Sequence, residues 1–132
     1  MCIFCKIING EIPSFKIYET DDLVAFLDIS QATKGHTLIV PKKHFDNFLA
    51  VDEETLKKVV VAQKEVAKIL SNKLGTDAFN FVNNCGSVAG QSVMHVHFHV
   101  IPRYEDDDFK MHITEHEPNF EELAKLHKLI TE

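Results

Sequence analysis

Between Gln91 and Arg103 the chain reads QSVMHVHFHVIPR, and within it His95, His97 and His99 alternate strictly with Val96, Phe98 and Val100. A β-strand sends residues i, i+2 and i+4 to one face, so the three imidazoles share a side. Val96, Phe98, Val100 and Ile101 read as the opposite face, β-branched and aromatic and suited to a core, with the strand stopping at Pro102, which has no amide hydrogen to give a ladder. A single strand histidine is ordinarily a half-buried, hydrogen-bonded residue. Three in register need partners or a task, and gathered neutral imidazoles suit metal, phosphate or proton transfer.

The rest of the chain reads as support for that stretch. A length of 132 residues fits one domain, residues 1–132, large enough for a real core. Short strands are expected at Phe15 to Tyr18, Leu23 to Asp28, Thr37 to Val40 (stopped by Pro41) and Ala78 to Val82. A long helix is expected between Asp52 as N-cap and Gly75 as terminator, with Leu56, Val59, Val60, Ala67, Leu70 and Leu74 on one stripe and Lys57, Lys64, Lys68 and Lys73 on the wet side. Asn83 to Gly90 (NNCGSVAG) is a glycine-punctuated loop, either a simple turn or a phosphate-facing element ahead of Gln91 and Ser92. The acidic run from Tyr104 to Phe109 reads as a solvated loop. Pro118 suits the first turn of a last helix with Phe120, Leu123, Ala124, His127 and Ile130 on its apolar face, docking on the sheet or on a partner. Strands joined by short connections, interrupted once by a long helix, predict an α+β domain with a mostly antiparallel sheet.

A net charge of −6 argues against a general grip on a nucleic-acid backbone, though not against a nucleotide-sized ligand. No apolar run approaches the roughly 20 residues of a membrane span, and no signal-peptide pattern opens the chain, which predicts a cytoplasmic protein without membrane partners. Cys2, Cys5 and Cys85 are an odd set that does not suggest a secreted disulfide framework. Cys2-Ile3-Phe4-Cys5 is half of a zinc site or a pair of free thiols; completing it takes two more ligands, for which His44 and one histidine of the triad are candidates. His36, at the mouth of the strand Thr37 to Val40, either joins the triad or caps a loop.

His-Val-His-Phe-His-Val-Ile, preceded by Gln91-Ser92-Val93, resembles the signature of the histidine triad (HIT) family of nucleotide hydrolases and transferases. CIFCKIINGEIP, LVAFLDI, GHTLIVPKKH and HVIPRY are similar to that family's bacterial members, so the resemblance runs over nearly the whole chain. It implies a homodimer in which two half-barrel sheets join into one. It also implies a purine nucleotide substrate cleaved at its α-phosphorus through a nucleotidyl-histidine intermediate. On that resemblance His97 is the nucleophile, His99 and Ser92 contact the phosphate or leaving group, and His36 orients the triad from behind. Asn84 and Gln91 belong to the phosphate-facing loop, Asp28 is the ribose-binding acid, and Phe4, Ile7 and Ile29 line the base pocket. The resemblance further implies a structural zinc on Cys2, Cys5, His44 and His95, and no catalytic metal.

The leaving group stays open, with a phosphoramidate or related AMP conjugate ranked ahead of a diadenosine polyphosphate. Two other classes compete: a hydrolase whose triad holds a catalytic metal with an open position, and a nucleotide-binding regulator without turnover.

Overall fold

The computed structural model describes residues 2–132. Five strands, β1 (Lys16–Glu19), β2 (Leu23–Leu27), β3 (Thr37–Pro41), β4 (Phe79–Val82) and β5 (Phe98–Pro102), form one sheet in the order β1-β2-β3-β5-β4. Every neighbouring pair is antiparallel. Helix α1 (Ile3–Ile8) precedes the sheet, α2 (Glu53–Leu74) joins β3 to β4, and α3 (Phe120–Thr131) closes the chain. This is the α+β, antiparallel arrangement expected from the sequence.

Strand alternation sorts the core into two layers. Leu23, Ala25, Ile39, Phe98 and Val100 pack with Val59, Ala62, Val66 and Leu70 of α2. Val24, Phe26, Leu38 and Val40, one residue out of phase, pack with Phe4 and Ile7 of α1. Because Phe98 and Val100 belong to the α2 layer, His97 and His99 are left on the α1 side. Ile101 is buried, but by the same alternation it falls on the histidine side and not with Val96, Phe98 and Val100 as expected.

Helix α2 has the expected ends. Asp52 Oδ2 accepts from the Thr55 amide at 3.1 Å, and Gly75 closes the helix in the left-handed region. Its stripe is shifted: Ala62 and Val66 are buried, whereas Val60 is 63% exposed, because the buried face runs through 59, 62, 66 and 70. Helix α3 buries none of its large apolar side chains; Phe120 is 78% and Ile130 71% exposed, so docking on this chain's own sheet, one of the two expected outcomes, does not occur. The acidic run is tethered, not simply solvated: Arg103 Nε and Nη2 donate to the two Asp107 oxygens at 2.9 and 3.1 Å. That guanidinium holds the Asp107 carboxyl down to about 2.

Gly35 locks the entry to β3. Its φ is +93°, and a Cβ there would stand 2.5 Å from Leu74 Cδ1 and 3.2 Å from Pro102 Cγ. Gly35→Ala is therefore expected to lower stability by about 2–4 kcal/mol, left-handed strain and overpacking adding, read as a drop in the urea midpoint. An unchanged midpoint would show that the turn relaxes freely.

Candidate functional site

His99 lies on β5 opposite Leu38 of β3, and His36 immediately precedes β3, which brings two histidines distant in sequence into contact. The Ala32 amide donates to His36 Nδ1 at 3.1 Å, so the neutral His36 ring carries its hydrogen on Nε2. That hydrogen is donated to His99 Nδ1 at 2.9 Å, which places the His99 hydrogen on Nε2 in turn. Asp28 Oδ2 stands 3.7 Å from His36 Nε2, while Oδ1 accepts from the Ser30 amide at 2.7 Å.

His97 is fixed differently. Its Nδ1 is 2.9 Å from the His95 carbonyl oxygen, which can only accept, so Nδ1 carries the hydrogen and Nε2 keeps its lone pair. The Phe4 ring meets the His97 ring edge-on at 5.0 Å, and the His97 and His99 rings are 5.2 Å apart. The Asn83 amide donates to the His97 carbonyl at 3.0 Å. That side-chain bond uses the carbonyl ahead of the ladder, and β5 accordingly begins at Phe98, later than a strand carrying all three histidines would.

A second cluster sits at the N-terminus of the chain's α1. Cys2, Cys5, His44 and His95 place their donor atoms within 4.8 Å of one another and could hold a metal ion. The imidazoles are prepared for it. His95 Nε2–H donates to the Pro41 carbonyl at 2.8 Å and His44 Nε2–H to Asp46 Oδ1 at 2.8 Å, leaving both Nδ1 lone pairs facing each other at 3.1 Å. The Cys2 and Cys5 sulfurs lie 3.4 and 3.5 Å from His95 Nδ1. Two lone pairs at that separation repel unless a proton or a cation stands between them. Asp28, His36 and His99 also lie close enough to hold a cation, but the single hydrogen between His36 and His99 already satisfies both facing nitrogens.

The remaining expected site residues divide. Phe4 and Ile7 are buried in the layer under the histidines, whereas Ile29 is 93% exposed. Ser92 is exposed and Asn84 half-buried beside Gly90. Gln91 is buried, with its Oε1 accepting from the Gly86 amide at 2.8 Å and its Nε2 donating to the Asp46 and Val93 carbonyls at 2.6 and 2.9 Å. With both amide hydrogens committed, it braces the loop. Sequence reasoning did not single out Asn83, Asp46 or the Ala32 amide. The Asn83-Asn84 pair and an acid two residues after a candidate ligand were the available signals.

Burial, helped by the neighbouring His97 and His36 rings, pushes the His99 pKa down to about 4. Burial also lowers His36. The unfolded ring titrates near 6.5, so between about pH 6.5 and 4 the unfolded chain binds the extra proton. Stability is thus fully present above 6.5 and falls as pH drops through that window. In chelator, to keep metal loss out of the slope, the urea midpoint of His99→Gln should fall less between pH 7 and 4.5 than that of the wild type. Equal slopes would refute the assignment.

Fold and site together define an α+β domain of the histidine-triad kind, with His99 on β5 and His97 just ahead of it on the α1 side of an antiparallel sheet. The HIT domain family model matches residues 9–106. An uncharacterized HIT-like protein of Methanocaldococcus jannaschii is 55% identical over 107 residues, 81% of this chain and 82% of that one. The adenosine 5′-monophosphoramidase of Saccharomyces cerevisiae is 43% identical over 128 residues, 96% of this chain and 78% of that one. Among solved structures, a Streptococcus mutans protein superposes with a TM-score of 0.93 at 43% identity, over 98% of this chain and 82% of that one. A zinc-bound histidine triad family protein of Mycobacterium smegmatis does so at 0.79 and 32% identity, over 97% of this chain and 96% of that one. The chain belongs to the HIT family.

Proposed function

We propose that this protein is a nucleotide-binding hydrolase that cleaves the α-phosphorus bond of a purine nucleoside 5′-phosphoramidate or related AMP conjugate, through a nucleotidyl-His97 intermediate. The observation that carries the reading is the His97 tautomer: a hydrogen on Nδ1 given to the His95 carbonyl leaves Nε2 as a neutral nucleophile. Attack by Nε2 on phosphorus forms the P–N bond and expels the leaving group with its bonding pair. Water then attacks the same phosphorus and returns His97 with its lone pair. The His99 Nε2–H, set by the relay from Ala32 through His36, is the donor suited to charge building on a phosphate oxygen. The name of the yeast relative supports the phosphoramidate.

In this reading Asp28 takes the ribose, and Phe4, Ile7 and Ile29 take the base, with the exposed Ile29 closing on it. Asn84 and Ser92 face the phosphate, and Gln91 shapes their loop. Zinc is the metal proposed for Cys2, Cys5, His44 and His95. Their sulfur-to-nitrogen and nitrogen-to-nitrogen spacings of 3.1 to 3.7 Å suit the edges of about 3.3–3.6 Å in a tetrahedral zinc site. The zinc-bound mycobacterial relative supports it. When bound, zinc would pin α1 to the triad segment without touching substrate. A single domain over residues 1–132 and a homodimer continuing the sheet complete the proposal. Phe81 on the edge strand β4 and Val60 on α2, 48% and 63% exposed, support that interface.

The test is turnover of adenosine 5′-phosphoramidate by wild type and His97→Ala, with and without a strong chelator. Tight nucleotide binding with no turnover of any leaving group would favour a regulator instead.

A further inference from the structure

The segment from Pro41 to Asp46 is fastened to the triad segment at three points. The Pro41 carbonyl accepts from His95 Nε2–H at 2.8 Å, the Phe45 carbonyl accepts from the Val96 amide at 2.7 Å, and the Asp46 carbonyl accepts from Gln91 Nε2 at 2.6 Å. Gln91 is only 4% exposed and Phe45 only 9%, so this anchoring is protected from water although the Asp46 carboxylate is 71% exposed. The backbone at Asp46 is thereby fixed, and its side chain reaches His44 Nε2 at 2.8 Å from an anchored base. His44 is the most exposed of the four donor residues, while His95 is fully buried. A ligand ring on the surface needs an outer partner to choose its tautomer, because water would accept either hydrogen.

We propose that Asp46 is a positioning residue for the four-donor metal site, holding His44 with its hydrogen on Nε2 and its Nδ1 lone pair turned to Cys2, Cys5 and His95. The inference rests on the metal reading above and not on hydrolysis. An acceptor at Nε2–H both orients the ring and raises the donor strength of Nδ1, and losing such a partner costs metal sites about 10–100-fold in affinity. Exposure of the carboxylate places the expected effect at the lower end, about tenfold.

The experiment compares full-length wild type, Asp46→Ala and Asp46→Asn by zinc competition with a chromogenic chelator, and by urea unfolding with zinc and with excess chelator. Asp46→Ala should bind zinc about tenfold more weakly. Asp46→Asn should fall between, since its amide oxygen still accepts from Nε2–H but lacks the charge. The two variants should match wild type in chelator and unfold earlier only when zinc is bound. Equal zinc affinity in wild type and Asp46→Ala overturns the proposal. So does an equal loss of midpoint with and without zinc, which would assign Asp46 to the fold alone. A wild type that binds no zinc overturns the metal reading itself, and is seen before any variant is compared. Neither measurement uses turnover, so failure of the hydrolase reading leaves this result separate.

Discussion

His97→Ala is expected to remove hydrolysis of adenosine 5′-phosphoramidate, lowering kcat by about 10⁴-fold or more, while the protein stays folded. The size follows from what disappears. If Nε2 forms the bond to phosphorus, alanine leaves no covalent route, and what remains is whatever binding and the donors around the phosphate give to direct attack by water. The fold should survive because His97 contributes one side-chain bond, Nδ1–H to the His95 carbonyl, and its backbone is held by Asn83. His99→Ala should cost less, since it removes a donor and leaves the nucleophile. Denaturing the wild type in alkali during turnover should trap nucleotide on the chain, and the label should map to His97. Chelation should leave a still-folded enzyme turning over. Two results would sink the assignment: His97→Ala within about tenfold of wild type, or a chelated enzyme that is folded, still binds nucleotide as the loaded protein does, and is silent. The second would move the chemistry to a metal held by the triad.

What sets the His97 and His99 rings in different tautomers was only half legible in the sequence. Alternation of His95, His97 and His99 with Val96, Phe98 and Val100 put the rings on one face, and the structure agrees because side-chain parity is set by the chain itself. What chooses each tautomer is the Ala32 amide, the His95 carbonyl and the Pro41 carbonyl. Main-chain groups leave no mark in a sequence, since every residue carries them. Likewise Asp52 and Gly75 announced α2, because capping is local, whereas the burial of Ala62 and exposure of Val60 depend on how α2 crosses the sheet. Helix α1 was invisible for a related reason. Six residues are too short to declare a period or to stand alone, and α1 exists through Phe4 and Ile7 packing and the Cys2 cap on the Cys5 amide. The Cys2-x-x-Cys5 spacing reads equally as free thiols or half a site until the fold brings His44 and His95 to it.

That dependence sets the second large effect. Stripping the metal is expected to lower stability by about 4 kcal/mol when the loaded protein is compared at a free metal level of about a thousand times its Kd. The loss should be local in origin. The α2 layer contains none of the four donors, so the sheet and α2 are expected to stand without metal. Without a cation the facing His44 and His95 lone pairs, 3.1 Å apart, are relieved only by thiol hydrogens or by separation. Separation draws Cys2 and Cys5 away, and with them α1, whose Phe4 covers the His97 ring at 5.0 Å. Hydrogen exchange at residues 2–8 should therefore rise far more on chelation than exchange in β2, β3 and β5, and the urea midpoint should fall. Cys2→Ser and Cys5→Ser should each reproduce most of that fall and become insensitive to chelator. A midpoint that ignores both chelator and these substitutions would mean the thiols are free and the four donors meet without a metal. Global unfolding on chelation would mean instead that α1 and its metal hold the sheet together, which the separate α2 layer argues against.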